Sequence, residues 1–539
     1  MTLEQKFRKK QYDQIWQRYC GFLDLSVPEF MEIQNRLMLE QLELYAGCEL
    51  GRRIMKGKRP ASVAEYRQVV PLTGYEDYAD ILLPKVDSAL PSKPVLWIET
   101  TWEGGKKPVK VAPYTENMLK THKVNTIACM ILATSNKKGR FTLRGGENFL
   151  YGMAQLPYLT GLVPHLISSE MWMNFMPPTK DAAAMRFSQR NKIGFKMGLQ
   201  KGVDLFFGLS SVIAKISDTF TLGSGSGEKF NILKVTPKMS YRLLKAWINS
   251  KQNKVPIMPK DIWTLKGLIC AGTDTAAIRK KIENYWGVRP LEIFGGTEPT
   301  CIATETWSKD GMVFFPDACF YEFIPKSELE KNIDDESYVP NTYLLDELVA
   351  GNEYELVISS FKGGAFARYR MGDIFKCLSL SKEDDGVNLP HFAYVDRHPG
   401  IIDLAGFTRI TEGTINEALT LSKLDIADWF ALKEFDECNR AFLHLYVEVG
   451  FNGLHSAVAK DIIKEHLSIY FRYVDTDYND LKYLLGIDPL VITIIPAGTI
   501  SRFADTFGRR LRKMNPSHFD VIEVLKIARG ENGNGQGVF

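Results

Sequence analysis

The stretch Leu265-Lys-Gly-Leu-Ile-Cys-Ala-Gly-Thr-Asp274, continued by Thr275 to Trp286 and by Leu291-Glu-Ile-Phe-Gly-Gly-Thr-Glu298, decides the fold. Two short apolar runs, Leu265 to Cys270 and Leu291 to Phe294, each break at a glycine-containing turn, Ala271-Gly-Thr-Asp274 and Gly295-Gly-Thr-Glu298. Short apolar runs bounded by glycine read as strands, and the segment Thr275 to Trp286 between them reads as a helix. Strand, turn, helix, strand and turn in that order predict α/β architecture. The turns at the strand ends are the places for function, because open α/β sheets bind ligands outside the carboxyl ends of their strands.

Upstream, residues 1–60 read as helices. Met31 to Met55 sets Ile33, Leu37, Leu39, Leu42, Leu44 and Tyr45 among charges, and Pro60 ends the run. A further helix is expected over Tyr75 to Leu82, after the turn Thr73-Gly74, and Val95-Leu-Trp-Ile98 reads as a strand. Downstream of residue 310 the pattern turns β-rich, with strands expected at Met312 to Phe315, Cys319 to Ile324, Tyr354 to Ile358 and Ile374 to Leu378. Proline and glycine come together at Arg397-His-Pro-Gly400. Beyond them, Ala441 to Val449 and Leu490 to Ile495 read as strands and Ser456 to Tyr470 as a helix. Two domains are therefore expected, 1–397 and 398–539, the second a small α+β domain with Pro399-Gly400 as its hinge.

Composition bounds the function. The 539 residues exceed one ordinary domain, and 45% apolar with 24% charged residues support a large core rather than disorder. Lys plus Arg number 67 against 64 Asp plus Glu, a net charge of +3, which argues against a chain built mainly to coat nucleic acid, and no nucleic-acid partner is expected. The eight cysteines form no Cys-x-x-Cys pair, which argues against a disulfide framework or a zinc site and for reduced thiols in a cytoplasmic protein. Met1 to Tyr19 is charged and lacks the apolar stretch of a signal peptide. Val124 to Thr134 is shorter than the about 20 residues a membrane span needs. Phe149 to Ile167 is interrupted by Gln155, Pro157, Pro164 and His165. Both read as buried core, so no membrane partner is expected. No His-Glu-x-x-His arrangement supports a zinc hydrolase, and Gly223-Ser-Gly-Ser-Gly227 lacks the Lys-Ser/Thr of a phosphate loop and reads as a surface loop. The apolar stretches Tyr151 to Ile167 and Phe206 to Ile216 read as core, with the lining of an acyl-acid pocket as the alternative.

Four motifs carry chemistry. Thr100-Thr-Trp-Glu-Gly-Gly-Lys-Lys-Pro-Val-Lys110 combines hydroxyls, glycines and lysines after a strand. Backbone N–H groups at glycines approach phosphate oxygens closely and lysine supplies charge; the plain alternative is a basic hairpin turn. Phe294-Gly-Gly-Thr-Glu298 offers a hydroxyl for a phosphate and a carboxylate for Mg²⁺. Tyr369-Arg-Met-Gly-Asp373 reads as a tight glycine turn whose Asp can accept from two ribose hydroxyls, or as a turn with a solvated Asp. Arg397, ending Phe392-Ala-Tyr-Val-Asp-Arg397, stands at the domain junction, where an exposed salt bridge is the alternative.

The order of these motifs resembles the adenylate-forming enzymes. Tyr66-Arg-Gln-Val-Val-Pro-Leu-Thr-Gly-Tyr-Glu-Asp-Tyr78, Phe320-Tyr-Glu-Phe-Ile-Pro325 and Leu348-Val-Ala-Gly-Asn-Glu-Tyr-Glu-Leu-Val357 narrow the resemblance. They are similar to segments of the Gretchen Hagen family of acyl-acid amido synthetases, the plant auxin and jasmonate conjugating enzymes and their bacterial relatives. The likeness covers most of residues 30–420. It implies a mixed α/β fold, with a large N-terminal adenylate-forming domain of β-barrel and α/β sheets and a smaller mobile C-terminal α+β domain. It implies that ATP with Mg²⁺ converts a small-molecule carboxylic acid to an acyl-adenylate, releasing pyrophosphate. An amine or amino acid then displaces AMP. By position, Thr100, Thr101, Lys106 and Lys107 would hold the phosphates. Ala271, Gly272 and Thr273 would line the adenine, with Phe294, Gly295 and Gly296 in the same nucleotide-binding set. Thr297 would touch the α-phosphate, Glu298 the Mg²⁺, and Asp373 with Arg397 the ribose. Lys513, within Gly498 to Pro516, would bond the carboxylate and bridging oxygen. Trp102 and Glu103 depart from the small or hydroxyl residues usual in the phosphate loop, and Ala367 beside Phe366 replaces the aromatic expected before Arg368. Two alternatives stay open: transfer of the acyl group to a thiol of coenzyme A or a carrier protein, and a nucleotide-binding protein without catalysis.

Overall fold

The computed structural model of the protein describes residues 2–100, 110–185, 187–221, 237–273, 275–404, 408–437, 439–449, 457–474 and 488–530. They fall into two compact units, one ending at Asp396 and one beginning at Arg397. Among the described residues of the first unit the strands are β1 (Leu96–Glu99), β2 (Val111–Tyr114), β3 (Ser135–Lys137), β4 (Arg140–Phe141), β5 (Asn148–Gly152), β6 (Asn174–Met176), β7 (Leu205–Leu209) and β8 (Gly267–Ala271). They continue with β9 (Leu291–Gly296), β10 (Thr300–Glu305), β11 (Met312–Phe314), β12 (Cys319–Pro325), β13 (Glu353–Ser360), β14 (Tyr369–Ser379) and β15 (His391–Arg397).

Eleven of these form one sheet in the order β12-β13-β14-β15-β11-β10-β9-β8-β7-β5-β6. From β6 through β5, β7 and β8 to β9 the neighbours run parallel. From β9 onward, β10, β11 and β15 follow antiparallel, as do the pairs β12–β13 and β13–β14. The central parallel strands β7 and β8 are almost wholly apolar, as in Leu205-Phe-Phe-Gly-Leu209, because both of their faces are covered. The parallel and the antiparallel strands are thus joined in a single large sheet. Among the described residues its pairing ends at β12 and β6 without closing.

The helix Glu116–Ala133 is buried around its whole circumference from Asn125 to Ala133, which is why Val124 to Thr134 is so apolar. No helix among the described residues is long and apolar enough to cross a membrane. The helix Val27–Ala46 is started by Ser26 and Glu29 in a reciprocal capping box. Its buried polar side chains pin the antiparallel half. Gln34 donates to Cys319 O at 2.8 Å and accepts from Tyr321 N at 3.1 Å, Gln41 accepts from Gly363 N at 2.8 Å, and the Tyr45 hydroxyl donates to Phe366 O at 2.7 Å. Each removes a buried backbone group from debt, so polar residues inside this core fix loop positions.

The second unit contains β16 (Ile401–Leu404), β17 (Thr408–Thr411), β18 (Ile426–Phe435), β19 (Ala441–Val449) and β20 (Leu490–Ile495). The last three form a sheet in which β18 and β19 are antiparallel and β19 and β20 parallel. Alternation along β18 separates two cores. Trp429 and Ala431 pack with Ile415, Leu467 and Phe471 of the helices Glu412–Ser422 and Ala457–Val474. Phe430 and Leu432 pack with Phe503 and Val524 of Thr499–Phe507 and His518–Ala528.

Candidate active site

Because β7, β8 and β9 are parallel, their carboxyl ends come out on one edge of the sheet, where parallelism gives way to antiparallel pairing at β10. Ala271 ends β8, and Gly272 turns the chain at φ +143, a conformation side chains rarely adopt. The turn is held from below. Thr275 Oγ1 donates to Gly272 O at 2.9 Å and lies 2.6 Å from Ser210 Oγ, the first residue after β7. Ala271 to Thr273, expected at the adenine, therefore lie at a strand end braced by hydroxyls from two helix starts.

The hairpin between β9 and β10 carries Thr297 and Glu298. A Cβ on Gly295 would lie 2.4 Å from Thr300 O, so only glycine lets the two strands close here. Tyr114, ending β2, donates its hydroxyl to Thr297 O at 2.7 Å. Thr297 and Glu298 are both 7% exposed. The Tyr369 hydroxyl donates to Glu298 Oε1 at 2.9 Å, and the Lys110 ammonium donates to the Tyr369 oxygen at 3.0 Å and stands 3.5 Å from the same Oε1. Lys110 also lies over the rings of Tyr75 and Tyr369, 5.7 Å from each. Thr100 pins Lys110 from the other side: Thr100 N donates to Lys110 O at 2.9 Å, and Lys110 N donates to Thr100 Oγ1 at 3.1 Å. The Tyr75 hydroxyl exchanges hydrogen bonds with the backbone of Val111, and burial together with the Glu298 charge pushes it up to about 12. Of the phosphate-loop residues, Thr101, Lys106 and Lys107, with Trp102 and Glu103, lie outside the described residues, as does the Gly223 to Gly227 loop.

Tyr369 to Asp373 is not the tight turn expected. It opens the long strand β14, where Glu355 pairs with Ile374 and Val357 with Arg370, so Met371, Gly372 and Asp373 together face Leu356. Gly372, at φ +72, makes this bulge possible. The bulge aims Asp373 inward. It is 1% exposed, and Tyr394 donates to its Oδ1 at 3.2 Å. Phe294 stacks on the Tyr394 ring at 5.7 Å and meets Phe375 edge-on at 4.8 Å. Gly296 leaves space that Met371 borders, 3.5 Å from a Cβ built there. One aromatic wall thus joins the Phe294 to Glu298 motif to the Tyr369 to Asp373 motif. Arg370 points elsewhere, held bidentate by Glu355 at 2.9 and 2.6 Å.

The segment Tyr66 to Tyr78 is the support of this arrangement. Thr73 and Tyr78 both donate to Ala367 O, at 2.8 and 3.0 Å, and Ala367 N returns a bond to Tyr78. Phe366 fills the space beside it, 5.1 Å from the Tyr78 ring and 4.9 Å from Tyr369. Ala367 therefore costs no packing: the aromatic one residue earlier supplies it. Arg368, at φ +47 and buried, forks onto Glu322 at 3.0 and 2.9 Å. Behind β9, Arg279 bridges Glu292 at 2.6 Å and Glu305 at 2.7 Å. Burial, then the Glu305 charge, raises Glu292 to about 7.

Two expected residues stand in the second unit. Arg397 has its Nε 3.4 Å from Asp403 Oδ2, an oxygen that Arg409 shares at the same distance. Lys513 lies outside any helix, on a segment that pairs with β18: Ala431 N donates to Lys513 O and Asn515 N to Ala431 O, both at 2.8 Å. Its ammonium bonds Asp428 and lies 5.0 Å over the Trp429 ring. Reasoning from sequence missed Lys110, Tyr369, Tyr75 and Tyr394 as partners of Glu298 and Asp373. Lys110 was in view as the last residue of the quoted loop, at the foot of β2, but its neighbours are distant in sequence.

Residues 312–397, which hold β11 to β15 and therefore Tyr369 to Asp373, match the family model described as the GH3 family central domain. This segment of the chain is therefore similar to the GH3, or Gretchen Hagen, family central domain. Among solved structures, 2-hydroxyisobutyryl-CoA ligase in complex with 2-HIB-AMP and CoA superposes with a TM-score of 0.57 at 14% identity, over 86% of each chain, and so has the same fold. GH3.15 acyl acid amido synthetase in complex with 2,4-DB covers 93% of each chain at 14% identity with a TM-score of 0.48. No curated protein sequence matches the chain.

Proposed function

We propose that the protein is an ATP-dependent, AMP-forming acyl-acid amido synthetase. The observation that carries the reading is the buried Glu298 carboxylate at the β9 strand end, held by Tyr369 and faced by Lys110, within a chain that carries the GH3 central domain. Joining a carboxylate to the α-phosphate brings two anions together, so the site must supply positive charge and fixed geometry. Lys110 offers one cation beside Glu298, and Thr297 offers a hydroxyl from the β9–β10 hairpin. The residues fit Mg²⁺ as a single carboxylate ligand. Among the described residues no cluster of three or more acidic, His or Cys side chains could hold a metal, and Mg²⁺ is ordinarily bound by one or two carboxylates together with substrate phosphates. When bound, the ion neutralises charge on the phosphate oxygens. Asp373 is the ribose ligand in this reading, the aromatic wall of Phe294 and Tyr394 orients it, and Ala271 to Thr273 border the adenine. Arg397 is the second ribose ligand in this reading, and Lys513 the group that bonds the carboxylate and bridging oxygen. The acceptor is an amine or amino acid, and the cytoplasm is the setting.

The test is exchange of labelled pyrophosphate into ATP across aryl, indole and fatty acids. Acid-dependent exchange followed by AMP and amide formation with an amine supports the reading. Thioester formation with coenzyme A and no amide would replace the acceptor. Stabilisation by ATP without exchange on any acid would end the catalytic reading.

A further inference from the structure

The first unit carries a face that this chemistry does not use. The helices Phe187–Lys201 and Pro237–Asn253 hold eight basic residues, of which Arg190 is buried, and no acidic one, in a chain whose net charge is only +3. At 3.6 residues per turn, Pro237–Asn253 buries Met239 and Ala246, half-buries Leu243 against the core, and turns Tyr241, Leu244, Trp247 and Ile248 the other way. These four large side chains are 69%, 55%, 52% and 42% exposed. Such a stripe costs solubility, and a monomer rarely keeps one without a partner.

Beside the stripe is a cavity of about 320 Å³ lined by Lys201, Arg242, Lys245 and Lys260. Two carboxylates also line it, but both are committed to the fold. Asp204 accepts from Asn148 N at 2.9 Å, and Asp261 accepts from Asn249 Nδ2 at 2.9 Å and Met258 N at 2.8 Å. Gly202, at φ +93, lets the Arg242 guanidinium close over the backbone: a Cβ there would lie 2.6 Å from Nη2. Among the described residues Arg242 Nη1 is buried without a hydrogen-bond partner, while Nη2 of the same guanidinium donates to Lys201 O at 3.5 Å.

We propose that this face docks on a membrane surface of anionic phospholipid. The Tyr241–Leu244–Trp247–Ile248 stripe enters the headgroup boundary and a lipid phosphate bonds Arg242 in the cavity. A basic helix with Trp, Leu and Ile on its free face has the composition of an interfacial helix, and its charges are attracted to anionic lipid. A second copy of the chain fits poorly, because a two-fold contact through this face would set the same lysines and arginines against themselves.

The experiment is sedimentation of the full chain with vesicles of phosphatidylcholine alone, and with vesicles of equal phosphatidylserine and phosphatidylcholine. The parent should sediment with the mixed vesicles only, and less as salt rises. Lys245→Ala should weaken binding about fivefold, Arg242→Gln at least as much, and Trp247→Glu should abolish it. Far-UV circular dichroism and melting serve as the check that each variant folds. Equal binding to both vesicles, no sedimentation, or binding indifferent to Trp247→Glu and Arg242→Gln overturns the proposal. So does a dimer that Trp247→Glu dissolves, which would assign the face to a second copy. So does a melting temperature raised by inorganic phosphate without vesicle binding, which would assign the cavity to a soluble anion.

Discussion

The hairpin Phe294 to Thr300 and the tail segment Arg509 to Asn515 both carry residues that the family resemblance marks for catalysis, yet the fold treats them differently. In the hairpin, strand pairing, a glycine that admits Thr300 O, and the Tyr114 bond to Thr297 fix the backbone. Side chains from β2 and β14 then fix Glu298. In the tail segment the backbone is equally fixed, by Ala431, but the charged end of Lys513 is engaged by Asp428 within its own unit. A group whose position is set by several elements is preorganised. A group held by the Trp429 ring and by a carboxylate that is 33% exposed is exchangeable, since such ion pairs hold weakly.

The sharpest way to break this contrast is Glu298→Ala. It should lower pyrophosphate exchange by about 10²–10³-fold, the usual loss when a preorganised electrostatic group is removed, and leave melting little changed. Unaltered exchange would remove Glu298 from the chemistry. Lys110→Met comes next. It keeps the stem over Tyr75 and Tyr369 but deletes the charge, and should cost about tenfold, equivalent to one charge-assisted hydrogen bond. An effect confined to melting would make Lys110 structural. Lys513→Ala should slow the reaction by a similar factor while Asp428→Asn, which frees the lysine, leaves it equal or faster; if both variants slow it alike, the pair is structural in the second unit.

The smallest effect concerns pH. Folding raises Glu292 to about 7 from its ordinary 4.5. The folded state therefore keeps a proton that the unfolded chain releases, so this group's contribution is full below about pH 4.5 and is lost as pH rises to about 7. Glu292→Gln should flatten the fall in melting temperature across that window. A slope equal to the parent's would place the titration elsewhere.

Much of this was legible in one dimension. The helix Thr275–Trp286 and the strands Ala441–Val449 and Leu490–Ile495 fall where periodicity and flanking turns put them, because local pattern and burial agree there. The motif order, read as a family resemblance, named Phe294 to Glu298 and Tyr369 to Asp373. The turn expected at Asp373 was wrong because a glycine in αL serves a bulge as well as a turn, and only the pairing of β13 with β14 separates the two.

By itself, then, the chain's order of residues determined its α/β class and where strands, helices and glycine turns fall, since these depend on neighbours a few positions apart. Tertiary structure alone decided what each group touches. Glu298 meets Tyr369 and Lys110 across long stretches of chain, Arg370 is spent on Glu355 although it stands inside a motif, and Trp247 is left facing water. Contacts of that range are set by how strands pair and which faces are covered, and no local pattern encodes them.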